Sequence, residues 1–159
     1  MNIGIIVYSQ TGNTLAVAEK MKETCIAAGH TAEIGRITVE EPEKADAAVK
    51  LSHIPAVKGY DALILGAPVQ AFSLCRQMTA YLKQMQSVKG IPVACYITQG
   101  LPKKWMGGNR AYKTMRSLCM KKGADPMRIG HVNWRSDERD AQVADAVSAA
   151  LKFVATAKA

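Results

Sequence analysis

MNIGIIVYSQTGNTLAVAEKM, Met1 to Met21, is the stretch from which the fold class follows. An apolar run, Ile3 to Tyr8, leads into a polar loop, Ser9 to Thr14, and the loop opens into a helical pattern. Ser9, Thr11 and Thr14 carry hydroxyls, Asn13 an amide, and Gly12 the backbone freedom of a tight turn. A helix beginning near Asn13 leaves its first N–H groups unpaired and directed at the same spot. Together these groups suit a phosphoryl group without a lysine. The competing reading is a turn with a plain helix cap. A cap needs only one hydroxyl or amide, however, and here four lie within six residues. A nucleotide-hydrolase loop would end in Gly-Lys-Ser/Thr, and a dinucleotide-binding fingerprint would carry three spaced glycines; neither pattern is present.

Outward from this loop, strand and helix signals alternate. Strands are expected over Asn2 to Tyr8, Thr31 to Ile37, Ala62 to Gly66, Val93 to Thr98 and Pro126 to Val132. Helices are expected over Thr14 to Ala28, Arg76 to Gln86, Asn109 to Lys122 and Asp137 to Ala157, with a weaker one near Glu43 to Ser52. Uninterrupted apolar runs such as ALILG, Ala62 to Gly66, suit interior strands covered on both faces. Five strands separated by helices imply an α/β fold with a parallel sheet, and such sheets take ligands beyond the carboxyl ends of their strands. Ser9 to Thr14, Pro68 to Ser73 and Gln99 to Gly108 leave those ends, so one shared pocket is expected.

At 159 residues the chain is expected to form one domain, residues 1–159, large enough for a core without staples. With no basic leader and no run of 18 apolar residues, a cytoplasmic protein without a membrane span is expected. Cys25, Cys75, Cys95 and Cys119 fit no metal or redox spacing and read as free thiols, with Cys75 the one nearest a ligand loop. His30, His53 and His131 are scattered, and no metal site is expected. Paired carboxylates and a nucleophile with a histidine base are both missing, so no hydrolytic machinery is visible.

Charge is concentrated. Lys103, Lys104, Arg110, Lys113, Arg116, Lys121, Lys122, Arg128 and Arg135 make nine cations between Leu101 and Arg135, against Asp125 alone. Nine minus one equals the whole formal charge of +8. A solvated face is one reading. The other is a field that steers an anionic partner toward the pocket, either an acidic redox protein or an anionic small molecule. Trp105 amid Lys104 and Arg110 could also stack a nucleic-acid base, but no recognition motif accompanies it.

The loop from Ser9 to Thr14 matches in full the pattern Ser/Thr-x-Thr-Gly-Asn-Thr, and in this the chain resembles the flavodoxins, small FMN-binding electron carriers. DALILGAPV, Asp61 to Val69, is similar to that family's third strand and flavin-facing loop. WRSDERDAQVADAVSAAL, Trp134 to Leu151, resembles its closing helix. The absence of a long insertion in the final strand makes the short-chain form the nearer comparison. The resemblance implies a three-layer sandwich with a five-stranded parallel sheet of order 2-1-3-4-5, and FMN as cofactor. It implies that Ser9, Gln10, Thr11, Gly12, Asn13 and Thr14 hold the FMN phosphate. Pro68, Val69, Gln70, Ala71 and Phe72 would line one side of the ring, and Thr98, Gln99, Gly100 and Leu101 the other. Family members commonly sandwich the ring between aromatic side chains; here Leu101 is aliphatic and Phe72 is the sole aromatic of the earlier loop. Trp105 would fold over the ring or anchor its loop, while Arg76, Gln77 and Tyr81 begin a helix that would reach substrate or pack. Three functions remain open on sequence: an FMN-dependent electron carrier in electron transport, an FMN-dependent oxidoreductase acting on a quinone or other small molecule, and a flavin-free structural, regulatory or nucleic-acid-binding protein.

Overall fold

The strands that read as continuous apolar runs take the interior of the sheet. A computed structural model describes residues 1–158. In chain order the elements are β1 (Asn2–Val7), α1 (Asn13–Ala27), β2 (Thr31–Arg36), β3 (Thr38–Val39), β4 (Leu51–His53), β5 (Ala62–Gln70) and β6 (Ser73–Leu74). There follow α2 (Arg76–Gln84), β7 (Val93–Gln99), α3 (Gly108–Lys121), β8 (Met127–Asn133) and α4 (Arg139–Lys158). The long strands pair in parallel in the order β2-β1-β5-β7-β8. Counting these five alone, the order is the expected 2-1-3-4-5, and the fold is an α/β three-layer sandwich.

Side chains alternating along each strand feed two separate cores. Leu63 and Leu65 of β5 face Met78, Tyr81 and Leu82 of α2 and Met115 and Cys119 of α3. Ile64 faces the other way, with Val17 and Met21 of α1 and Val143, Ala150 and Val154 of α4. The residues at both faces of the central strands are fully buried. At about 1.5 to 3 kcal/mol for each large aliphatic side chain, this burial is the main force ordering the sheet.

Three boundaries differ from expectation. The segment from Glu43 to Ser52 is not a helix: turns occupy it, and β4 at its end pairs antiparallel with β3. Arg76 accounts for this, since its guanidinium donates to the carbonyls of Lys44 and Ala47, and Gln77 Nε2 donates to Glu43 Oε2 at 2.8 Å. Those tertiary bonds hold carbonyls that a helix would need for itself. The third long strand also continues past Gly66 to Gln70, and β6 folds back on it as an antiparallel hairpin, pairing Val69 with Leu74 and Gln70 with Ser73. Finally, α4 starts at Arg139 because Trp134 to Glu138 are spent on turns fixed by Asn133 and Ser136. Among the described residues no helix is long and apolar enough to cross a membrane.

Candidate functional site

The carboxyl ends of β1, β5 and β7 surround a cleft of about 170 Å3. Gln10, Thr11, Asn13 and Thr14 line it from the first loop; Pro68, Val69 and Gln70 from the end of β5; Thr98, Gln99 and Gly100 from the end of β7. Of the expected site residues, Ser9, Gly12, Ala71, Phe72 and Leu101 are not on its wall.

The first loop is built around the start of α1. Gly12 is the N-cap with φ +92°, a conformation that favours glycine, and it offers no side chain to the helix. A Cβ there would meet nothing within 4 Å, so the space beside the cap is open. Ser9 lies behind the wall because its Oγ accepts the Leu15 N–H at 3.2 Å. The amides of Asn13 and Thr14 have no acceptor among the described residues, as befits a first helical turn, and both residues line the cleft. Thr14 Oγ1 is committed elsewhere: it is buried, 2.7 Å from Thr98 Oγ1, which ties β7 to α1. Tyr96, fully buried, adds a second tie by donating its hydroxyl to the Thr14 carbonyl at 2.7 Å. Its ring crosses directly over Gly66, where a Cβ would lie 2.2 Å from Cζ.

The other two loops are coupled to the first and to each other. Gln70 Nε2 donates to Gln10 Oε1 at 2.9 Å. At the hairpin tip Ala71 and Phe72 both have positive φ, 49° and 60°, as a two-residue type I′ turn requires. Gly107, φ +112°, rests on this tip: a Cβ would come within 2.7 Å of the Phe72 backbone and of Val69 Cγ1. Gln99 shapes the third loop from beneath, its Nε2 donating to the carbonyls of Leu101 and Lys103. Gln99 Oε1 is buried without a partner, as is His131 Nε2, and both crowd Gly108, whose Cβ would lie 2.6 Å and 2.9 Å from them. Arg128 donates to His131 Nδ1 at 3.0 Å, so the neutral ring carries its proton on Nε2. Burial, and then the charges of Arg128 and Lys104, push the His131 pKa down to about 4.

Several side chains take roles other than those the sequence left open. Tyr81 does not reach a substrate: it is fully buried in the core and donates to the Pro55 carbonyl at 2.8 Å. Cys75 is buried, and burial raises its thiol pKa to about 12, so it is an inert thiol at neutral pH. Trp105 neither covers the cleft nor anchors its loop, being 73% exposed; Phe72 is 59% exposed and Leu101 38%. Leu101 and Trp105 share their loop with exposed Lys103 and Lys104. Asp125, the single acid of the basic region, is consumed by Arg116 in a two-pronged pair at 2.7 and 2.8 Å. Arg128 stacks on Tyr112 with 5.0 Å to the ring centre. Lys103, Lys104, Arg110 and Lys113 are exposed and have no acidic partner among the described residues.

Trp134 lines the cleft although the three-loop reading omitted it. It follows β8 directly, a fourth strand end beside the pocket. The available signal was its position one residue past a strand adjacent to β7.

No protein-family model matches the chain. Among curated proteins, the NAD(P)H dehydrogenase (quinone) of Azorhizobium caulinodans is 31% identical over 88 residues, half of this chain and 44% of that protein's length. Among solved structures, oxidised flavodoxin 2 from Bacillus cereus superposes with a TM-score of 0.67 at 17% identity, covering 98% of this chain and 99% of that one. Two-electron reduced Megasphaera elsdenii flavodoxin gives a TM-score of 0.58 at 22% identity, covering 94% and 98%. The rubredoxin oxygen:oxidoreductase of Desulfovibrio gigas gives 0.70 at 12% identity, covering 99% of this chain but 36% of that one. The fold is therefore flavodoxin-like.

Proposed function

We propose that the chain binds FMN in this cleft and acts as an electron carrier. The observation that carries the proposal is the open helix start: two acceptor-free amides, at Asn13 and Thr14, lie on the cleft wall beside Thr11 and a side-chain-free cap. A dianionic phosphate fits this donor set, because it supplies acceptors to amides that nothing else satisfies and lies at the positive end of the helix. The Asn13 and Thr14 amides with Thr11 would hold the phosphate, while Ser9 and Gly12 set the loop's shape. Pro68, Val69 and Gln70 would flank the ring on one side and Thr98, Gln99 and Gly100 on the other, with Ala71, Phe72 and Leu101 at the rim. Bound there, FMN supplies transfer of electrons singly or as a hydride equivalent. The chain's own residues bind it, orient it and set its electrostatic surroundings. Unpaired cations at Lys103 and Lys104, with exposed Trp105 in the same loop, suit an acidic redox protein or an anionic small molecule as the partner.

The test is a titration of folded protein with FMN and with riboflavin. FMN saturates it, and riboflavin, lacking the phosphate, binds at least tenfold more weakly, since charge-assisted hydrogen bonds contribute about 1.5 to 3 kcal/mol each. Absence of FMN binding to folded protein refutes the proposal. The partial match to a quinone dehydrogenase favours a second reading, FMN-dependent reduction of a quinone by a nicotinamide donor. Catalytic turnover of NADH or NADPH with a quinone by the FMN-loaded chain alone would select that reading over the carrier.

A further inference from the structure

We infer that Trp134 is the aromatic wall of the ring-binding part of the cleft, reached from the loop after β8 and not from the two loops that flank β7's end; the inference rests on the FMN reading above. Three observations carry it. First, Trp134 is the sole aromatic residue on the cleft wall, because the aromatics of the other loops, Phe72 and Trp105, point into solvent. Second, the sheet order sets Trp134 opposite the aliphatic wall. β7 lies between β5 and β8, so Pro68 and Val69 approach the cleft from one neighbour and Trp134 from the other, with Thr98 to Gly100 as the floor. Strands two places apart are separated by about 10 Å, and Pro68 and Val69 from one and Trp134 from the other line the same cleft. Third, the indole packs against the apolar core between α1 and α4 on one side and borders the cleft on the other, so it is a braced partition between the two. It borders the cleft and also a second hollow, of about 240 Å3, edged by Ala16, Val17 and Lys20 of α1 and by Val143 of α4. The Trp134 backbone N–H donates to the Gln99 carbonyl at 2.8 Å, continuing the β7–β8 pairing by one residue. The Arg139 guanidinium stands over the indole, 5.1 Å from its centre. An aromatic plane held in advance by backbone and cation loses little freedom when a ring packs on it.

The consequence is spectroscopic as well as energetic. An indole in contact with a flavin quenches the flavin's emission, and a phenyl ring does not. FMN bound to the wild-type protein is therefore dark, and Trp134→Phe restores its emission while keeping an aromatic surface that preserves folding. Trp105→Phe leaves the bound flavin dark. Trp134→Ala, checked for folding by circular dichroism, weakens FMN roughly 10- to 100-fold, as loss of one aromatic stacking surface does elsewhere. A flavin that stays dark in the Trp134→Phe variant, or that lights up in Trp105→Phe, overturns the inference. Failure of wild-type protein to bind FMN at all overturns the FMN reading instead, so the two failures are told apart.

Discussion

Replacing Gly66 with Ala tests whether the cleft is supported from below by Tyr96. The added Cβ would sit 2.2 Å from Tyr96 Cζ and 2.4 Å from both Cε1 and the hydroxyl oxygen. Ordinary carbon contacts begin near 3.5 Å, so the ring must retreat by about 1.3 Å. Tyr96 is fully buried and cannot swing out into solvent. Overpacking of this kind costs about 1 to 3 kcal/mol. Retreat also breaks the 2.7 Å bond from the hydroxyl to the Thr14 carbonyl, and an unsatisfied buried hydroxyl adds about 1 to 3 kcal/mol. The combined expectation is a loss of about 2 to 6 kcal/mol by urea unfolding, accompanied by weaker FMN binding, because Thr14 lies in the first turn of the helix that the phosphate would face. Gly100→Ala is the control: its Cβ would meet only Arg135 Nε at 3.8 Å, and stability should change by less than about 0.5 kcal/mol. A Gly66→Ala variant within about 1 kcal/mol of wild type would refute the reasoning that Tyr96 is an unyielding strut.

Thr14→Val or Thr98→Val alone strands a buried hydroxyl and should cost about 1 to 3 kcal/mol, whereas the double variant should return to within about 1 kcal/mol of wild type in the same unfolding assay; additive losses would disprove the pairing. His131, held near pKa 4 when folded against 6.5 when free, contributes stability that is complete above pH 6.5 and lost as the pH falls toward 4, because the unfolded chain takes the proton first. That shift corresponds to ~3 kcal/mol before solvent screening and about 1 to 2 after it, so the wild type should lose more stability than His131→Gln between pH 7 and 4.5. Oxidation of reduced, FMN-loaded protein by ferricyanide should slow as salt is added, and oxidation by hexaammineruthenium(III) should quicken; salt-independent rates with the anion would eliminate steering by Lys103 and Lys104.

The five parallel strands and four helices are legible because each is a local signal: an unbroken apolar run, or an apolar stripe of helical period, closed by a glycine in α1 and α3. Gly29 and Gly123, with φ +89° and +102°, follow α1 and α3 where their types led one to expect. What was not legible depends on contacts distant along the chain. The helical pattern near Glu43 yields to Arg76, some thirty residues on, whose guanidinium takes the carbonyls of Lys44 and Ala47. The hairpin at Ala71 and Phe72 lacks any turn residue to announce it, so sequence alone ends the strand at Gly66. At the candidate site, Thr11, Asn13 and the start of α1 lie on the cleft wall. The hydroxyls of Ser9 and Thr14 face inward instead, which their identity alone cannot reveal. Trp134 escaped notice because its place on the wall follows from the order of strands in space, not from any motif.

The hairpin tip carries a design lesson. Left-handed backbone costs a residue with a Cβ about 1 to 2 kcal/mol, and Asn-Gly would occupy the same turn with less strain. A bulky phenyl group at such a corner is a poor choice for folding and a good one for display. Grafting Asn-Gly onto positions 71 and 72 should therefore yield a sturdier molecule with a blunted outer edge, separating what the chain needs in order to fold from what it shows to whatever meets it.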